Sequence, residues 1–384
     1  MNYLLCNMEN GSQIDTIYTD FSKAFDRVYH ELLSKKMLSI GCPPTFVKWL
    51  SSYLTGRIQK VRIGNHVSND IFVLSGVPQG SHLGPLLFVV FINDLCSMFK
   101  DCIFSLYADD LKIYKRVESI NDCIILQENF TVINDWCKAN FMSLNILKCK
   151  CITYSRKLCR NKIIFDYGID GTNLLRCTVM NDLGVLIDEK VNLNEYVDVI
   201  TNKARKMLGF IKRQGKSFHD PYVIKALYCS LVRPILEYCS VVWMPFTKTQ
   251  IDKVESIQKQ FLLFALRNLH WNHPFELPKY EHRLQLLNMI PLSDRRVISS
   301  ASFMYKLLNG QIDVPYLKDL IMENESIYHT RNRPPLIYNS HSTNYGMNEP
   351  LTRLVRLYNL YQYEFNDSSS VINLKSRIRQ KLCL

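Results

Sequence analysis

The chain has 384 residues, of which 47% are hydrophobic and 21% charged, as expected for a globular protein with sizeable cores. Its formal net charge of +12 is uneven: residues 1–190 carry +2 and residues 191–384 carry +10. A basic C-terminal half beside a near-neutral half suits a protein that holds a polyanion, and a merely soluble basic surface is the alternative. The most apolar run, Leu83 to Leu95, is too short to span a bilayer, so no membrane partner is expected.

The thirteen cysteines are scattered along the chain, and only Cys149 and Cys151 lie close together. This spacing, without further Cys or His pairs, is a poor zinc signature. The odd number of cysteines and the lack of a secretory signal favour reduced thiols inside a cell.

In chain order, the first half predicts alternating strands and helices. A strand leads to Asp20, and the elements expected after it are a helix (Ala24 to Ile40), a short helix (Phe46 to Leu54), two strands (Arg57 to Ile63 and Ile71 to Leu74), an apolar helix with Pro85 in its first turn, a hairpin (Ile103 to Tyr114), a helix with one buried face from Cys123 to Cys137, and a strand (Cys151 to Tyr154). This order predicts an α+β fold, with a βαββαβ-like antiparallel sheet backed by helices.

After about residue 190 the pattern becomes helical. Asp220-Pro221 should begin a helix that ends or kinks at Pro234, and apolar residues from Ile251 to Ala265 should line one face of the next. Ser293 is expected to cap a third helix, which Asn309-Gly310 ends. Residues 329–350 are rich in Asn, Pro, His and Ser and predict loop or disorder.

Three motifs carry the chemistry. Asp20 stands at a strand end, a Gly/Pro loop covers Ser75 to Ser81, and Asp109-Asp110 sits at the tip of the hairpin. An Asp pair alone is more often a surface turn, because Asp favours turns. The informative feature is the order of the three motifs along the chain: a single acid, then a loop that leads into a helix, then a pair of acids.

In this order and in the residues themselves, the chain resembles the reverse transcriptases of non-LTR (LINE-type) retrotransposons, particularly the Jockey-like branch. Asp20 to Val28, Gly76 to Leu95, Tyr107 to Asp110 and Trp136 to Lys150 carry the resemblance most clearly. Leu231 to Tyr238 is similar to the helical region of the same elements. The resemblance implies a right-hand polymerase palm over residues 1–190 with truncated fingers, a helical thumb-like region over 191–310, and a C-terminal extension over 311–384.

The resemblance also implies site residues. Two Mg²⁺ ions, with Mn²⁺ as a substitute, would be held by clustered oxygen ligands. The metal ligands are expected to be Asp20, Phe21, Asp109 and Asp110, and the catalytic residues Asp20, Asp109, Asp110 and Lys148. We expect the three carboxylates to lie within bridging distance of one another. Lys148 would protonate or neutralise the departing pyrophosphate. The alternative is that Lys148 is an ordinary solvated lysine.

Substrate contacts are expected from Phe25, Gly76, Pro78, Gln79, Gly80 and Tyr107, and primer contacts from Leu183 and Gly184. The ring of Phe25 would exclude a 2′-hydroxyl, with core packing as its alternative. Asp26 is interpreted as an acid favoured at a helix start. Trp136, Trp243 and Trp271 either stack on nucleic acid or belong to the core.

The implied function is an RNA-directed DNA polymerase whose partners are an RNA template, a DNA primer or target, and dNTPs. Its parent element would act in the nucleus or in a cytoplasmic ribonucleoprotein. Only 19 residues precede Asp20, so most of the fingers and the endonuclease domain are expected to be missing. The alternative function is an inactive remnant that only binds nucleic acid.

Overall fold

The computed structural model describes residues 1–267, 278–324, 334–338, 341 and 343–382. Trp271 therefore lies outside the described residues. The chain divides into a first unit, Gly11–Met180, and a second unit, Met1–Asn10 with Asn181–Leu384. The expected palm boundary at 190 thus lies ten residues beyond the observed division, and the first ten residues join the second unit.

Up to the division the elements are α1 (Asn2–Glu9), β1 (Gln13–Thr19), α2 (His30–Ser39), α3 (Pro44–Leu54), β2 (Arg57–Gln59), β3 (Arg62–Ile63), β4 (His66–Val67), β5 (Ile71–Val73), α4 (Leu83–Ile92), β6 (Ile103–Tyr107), β7 (Asp110–Val117), α5 (Ile120–Ala139), β8 (Lys150–Tyr154), β9 (Gly168–Ile169), β10 (Thr172–Asn173), β11 (Leu175–Arg176) and β12 (Val179–Asp182). The second unit continues with β13 (Val185–Asp188), α6 (Asn194–Gln214), α7 (Pro221–Leu227), α8 (Arg233–Glu237), α9 (Lys248–Ala265), α10 (Tyr280–Leu286), α11 (Leu292–Leu308), α12 (Pro315–Asp319), β14 (Met322–Glu323), β15 (Leu336–Ile337), α13 (Asn344–Met347), α14 (Pro350–Leu360), α15 (Gln362–Asn366) and α16 (Val371–Leu382).

The first unit is built on a five-stranded sheet in the order β11-β8-β1-β7-β6. β1 lies in the centre and pairs antiparallel with both β7 and β8, and only the short β11 is parallel to its neighbour. β1 can take the central place because six of its seven residues are buried. Apolar residues of α2 to α5 form one core against the face that carries Ile17 and Ile113. The expected α+β class is confirmed.

The predicted helix from Ala24 to Ile40 is wrong in its first turn. Ala24–Arg27 forms a 3₁₀ turn, and α2 begins only at His30. The reason is tertiary: the carbonyls of Phe25 and Val28 accept hydrogen bonds from the N–H groups of Val77 and Gly76. An α-helix would need those carbonyls for its own i→i−4 bonds.

The predicted strand from Arg57 to Ile63 is also interrupted. β2 pairs with β5, and β3 pairs with β4, so the segment forms a narrow ribbon of short strands. Residues of this ribbon are mostly exposed.

The second unit is mainly helical. The predicted interruption at Pro234 is confirmed, because α7 passes through a π-helical turn, Tyr228–Val232, into α8, which carries Pro234 in its first turn. Ser293 is not the cap of α11. The helix begins at Leu292, whose N–H donates to the carboxylate of Glu255. This buried carboxylate therefore accepts a hydrogen bond from the helix N-terminus, which is the role expected of a capping serine.

Within the described part of residues 311–384, α14 and α16 do not form a separate extension. Ala301 and Met304 of α11 share one core with Leu354 of α14 and Leu374 of α16. Within residues 329–350, predicted to be loop or disorder, the described part includes β15 and α13. In the described part of the chain, no helix is both long and apolar enough to cross a membrane.

Candidate active site

Asp20 directly follows β1, at the end of the central strand. Its backbone is fixed by the segment before β8: the Asn145 N–H donates to the Asp20 carbonyl at 2.8 Å, and the Asp20 N–H donates to the Cys149 Sγ at 3.3 Å. Burial raises the pKa of the Cys149 thiol to about 11, so the thiol stays protonated at neutral pH. The carboxylate of Asp20 is 42% exposed and therefore open to a ligand.

Asp109 lies in the tight turn between β6 and β7, and Asp110 is the first residue of β7. Tyr107 pairs with Asp110, so Ala108 and Asp109 form the two-residue connection. Ala108 has a left-handed φ of +53°. This conformation costs a non-glycine residue about 1–2 kcal/mol, so the turn stores strain at the tip that carries the acids.

The β1–β7 register brings the two motifs to the same end of the sheet. Thr19 pairs with Leu111 in the last pair of the ladder, so Asp20 and Asp110 each lie one residue beyond it, at the same end of the sheet. Directly opposed residues of an antiparallel pair point to the same face, and so do residues two apart along one strand. The same alternation places Tyr18 and Lys112 on that face, and the Lys112 Nζ lies 5.7 Å from the centre of the Tyr18 ring.

The donors at this sheet end are carboxylate oxygens, which are the ligands that Mg²⁺ prefers. In that sense the residues fit the expected metal. Among the described residues, however, no three His, Cys, Asp or Glu side chains form a group that could hold a metal ion. Carboxylates repel one another, so a close cluster needs a compensating cation. The backbone segments that carry the acids lie at the same end of the sheet. That the three carboxylates lie within bridging distance of one another stays a prediction.

Phe21, the fourth expected ligand position, has a buried side chain that packs edge-on against Trp136, with ring centroids 6.4 Å apart. Its backbone bridges to Leu144. Only its carbonyl could serve a metal, because the ring belongs to the core.

Lys148 lies next to Asp20. Its Nζ is 3.9 Å from the Asp20 Oδ2, and its side chain is 69% exposed. The turn that holds it is closed by the Lys148 N–H donating to the Asn145 carbonyl. The tertiary fold therefore brings this lysine to the end of the sheet that carries Asp20, and its role toward pyrophosphate stays a prediction.

The loop from Ser75 to Gly80 is held by Asp26. The Ser75 hydroxyl donates to the Asp26 carbonyl at 2.8 Å, and the Gln79 amide donates to the Asp26 Oδ1 at 2.9 Å. The Gly76 carbonyl accepts a hydrogen bond from the His30 ring at 2.7 Å. Gln79 is thus oriented by a carboxylate through its amide nitrogen.

Sequence reasoning missed this role of Asp26. Its interpretation as an acid at a helix start is incomplete, because the structure shows it clamping a loop about fifty residues away in sequence. The sequence contained one signal for this contact. Asp26 lies close to the Asp20 motif and Gln79 lies in the Gly/Pro loop, so their side chains can pair if the two motifs meet in the fold.

Phe25 is partly buried, and its ring stacks on Phe88 at a centroid distance of 4.4 Å. One face of the ring therefore belongs to the core. Its action against a 2′-hydroxyl stays a prediction. Tyr107 is 68% exposed beside Asp110, where a substrate can reach it. Pro78 and Gly80 lie in the loop, and the Pro78 carbonyl accepts from the Ser81 hydroxyl.

Leu183 and Gly184, the expected primer contacts, form the turn between β12 and β13. Both have positive φ, +47° and +86°, as a two-residue hairpin turn demands. The Tyr238 hydroxyl donates to the Leu183 carbonyl at 2.8 Å. This hydrogen bond braces the turn.

Trp136 and Trp243 are core residues. Trp136 is 3% exposed and donates to the Asp94 Oδ1, and Trp243 is fully buried and donates to the Tyr238 carbonyl. The stacking role considered for both is wrong. On α3, the exposed Phe46 and Trp49 stack with the half-buried Tyr53, a cluster that the sequence reading did not single out.

Comparisons with known proteins agree with these motifs. The chain is 25% identical over 268 residues to a probable RNA-directed DNA polymerase from transposon BS of Drosophila melanogaster, covering 67% of this chain and 29% of that protein. It is 26% identical over 278 residues to the RNA-directed DNA polymerase from mobile element jockey of Drosophila funebris, covering 68% of this chain and 29% of that protein. The chain thus spans less than a third of the length of these relatives.

Among solved structures, apo telomerase from Candida tropicalis overlaps with 69% of this chain and 45% of its own, at 12% identity and a TM-score of 0.39. A score this low adds nothing to the fold assignment. The model of the family described as reverse transcriptase (RNA-dependent DNA polymerase) matches residues 6–211. Because this match covers more than half of the chain, the protein belongs to the reverse transcriptase family.

Proposed function

We propose that this chain is the polymerase part of a LINE-type, Jockey-like RNA-directed DNA polymerase, which adds dNTPs to a DNA 3′ end. The observation that carries the proposal is the β1–β7 register, which leaves Asp20 and the Asp109-Asp110 turn at the same end of the sheet, just beyond the Thr19–Leu111 pair. The family match and the relatives named as RNA-directed DNA polymerases support it.

In this proposal Asp20, Asp109 and Asp110, with the Phe21 carbonyl, would hold two Mg²⁺ ions. When bound, the metals would supply Lewis-acid activation of the primer 3′-hydroxyl and charge neutralisation of the triphosphate. Lys148, held 3.9 Å from Asp20, is placed to give a proton or a positive charge to the departing pyrophosphate.

Two further groups shape the nucleotide site. Gln79 would present its amide oxygen, because its nitrogen is engaged by Asp26. Phe25 presents the part of its ring that Phe88 does not cover, and bulk there would discriminate against ribonucleotides. The proposed partners are an RNA template, a DNA primer and dNTPs, with the +10 segment after residue 190 contributing phosphate contacts.

Primer extension by purified residues 1–384 on an RNA template, with Mg²⁺ and dNTPs, tests the proposal. We expect template–primer binding that weakens steeply as salt rises, together with slow extension. Positioning of the triphosphate governs the rate, and poor positioning alone costs orders of magnitude.

Asp109→Asn should abolish extension and leave binding largely intact, whereas Asp135→Asn, a change on the exposed side of α5, should alter neither. Extension that survives Asp109→Asn contradicts the assignment of the acids. Salt-sensitive binding without extension by any variant would instead support the inactive remnant.

A further inference from the structure

A cavity of about 460 Å³ opens in the second unit between α8, α11 and α16. Its volume lies in the range of small-molecule sites. One face of α11 contributes most of its polar lining, since Arg295, Ser299, Ser302 and Lys306 follow the helical spacing of three and four residues. None of the polymerase motifs contributes to it.

Arg296 lines this cavity and is only 1% exposed. Within the part of the chain that the structure describes, its Nε and Nη1 atoms are buried without a hydrogen-bond partner. Burial lowers the pKa of the guanidinium, and the carboxylates of Glu255, Glu237 and Asp294 only partly offset this effect. A buried guanidinium with unsatisfied donors is costly, so it is rarely found where no acceptor can reach it.

The other charges of the cavity do not satisfy Arg296. Glu237 is engaged by Arg295, whose Nη2 donates to the Glu237 Oε2 at 3.0 Å, and Arg233 approaches the same carboxylate at 3.8 Å. Lys306 and Lys375 are exposed at the rim. Four cations therefore line the cavity against one carboxylate, and that carboxylate is already paired.

We propose that this cavity binds a phosphate group, with Arg296 at its floor and Lys306 and Lys375 at its mouth. Guanidinium and ammonium donors together with serine hydroxyls are the set that recognises phosphate oxygens. The surplus of positive charge matches a multiply charged anion. The phosphate comes either from a free ligand such as pyrophosphate or from the backbone of a bound nucleic acid. This inference does not depend on the polymerase proposal.

The test is calorimetric titration of residues 1–384 in EDTA, so that no metal-dependent binding of pyrophosphate contributes. One arm uses pyrophosphate and the other a single-stranded oligonucleotide. Lys306→Gln and Lys375→Gln remove exposed charges and should not affect folding, and Arg296→Leu removes the buried one. Lys248→Gln is the matched control, because Lys248 is an exposed lysine of the same unit that does not line the cavity.

We expect saturable binding of pyrophosphate that each cavity variant weakens at least tenfold, which corresponds to about 1.4 kcal/mol, while the control is unchanged. If only the oligonucleotide binds, and the cavity variants weaken it by the same factor, the source is a backbone phosphate. Absence of binding in both arms, or equal binding by the control and both lysine variants, overturns the proposal.

Discussion

Gly76 permits a close approach between the loop and the turn at Asp26. Its φ is +91°, and a Cβ built there would lie 2.8 Å from both the Cα and the carbonyl oxygen of Asp26. These are backbone atoms, so they cannot rotate away. Gly80, four residues later, has a similar φ of +80°, but in the described part of the chain no atom lies within 4 Å of its Cβ position.

A comparison of alanine variants at the two glycines therefore separates the cost of the positive φ from the cost of the steric overlap. Gly80→Ala should cost about 1–2 kcal/mol of the free energy of unfolding, since a positive φ disfavours alanine. Gly76→Ala bears the same cost plus about 1–3 kcal/mol for the forced overlap, or about 2–5 kcal/mol in total. The overlap also displaces the loop from the carbonyls of Phe25 and Val28 that it now bonds.

The free energies should be measured within the first unit, because two compact units need not unfold together. Hydrogen exchange of peptides from β1 and β7 across a urea titration reports that unit alone. We expect Gly76→Ala to be less stable than Gly80→Ala by at least about 1 kcal/mol. Equal losses for the two variants would refute the argument that Gly76 is needed for the contact with Asp26.

Three other expectations can be checked directly. Phe25→Val should raise the ratio of ribonucleotide to deoxynucleotide incorporation in primer extension, because the smaller side chain leaves room for a 2′-hydroxyl. An unchanged ratio would indicate that Phe25 only packs in the core. Ala108→Gly should raise the free energy of unfolding by up to about 1 kcal/mol, because glycine accepts the φ of +53° without strain, and a loss of stability would contradict that reasoning. Burial raises the pKa of Glu9, but hydrogen bonds from His341 and Thr343 outweigh it and lower the pKa below its usual value. The ionised Glu9 therefore stabilises the second unit above that usual value, and the contribution is lost as the pH falls through the lowered pKa. Acidification from pH 7 to about pH 3 should destabilise Glu9→Gln less than the unchanged chain, and equal acid sensitivity would count against the role of this carboxylate.

Local chemistry in the sequence was enough to predict β1, β8 and the β6–β7 hairpin, together with the positions of the candidate acids at their ends. β-Branched residues mark β1, and the spacing of three and four between buried side chains from Cys123 to Cys137 marks α5, because these signals arise within a few residues. Tight turns were equally readable, since Gly184 and the Asp109-Asp110 pair favour the conformations that turns require. The family could be named from the order of these short motifs.

What the sequence alone could not decide depends on partners that are distant in the chain. The helix expected at Ala24 became a 3₁₀ turn because its carbonyls bond the loop at Gly76, and α11 begins at Leu292 because Glu255 caps it from another helix. Asp26 acquired its role only where the fold brought Gln79 to it. The tertiary structure decided these points because hydrogen bonds between remote segments leave no periodic trace in the sequence around either partner.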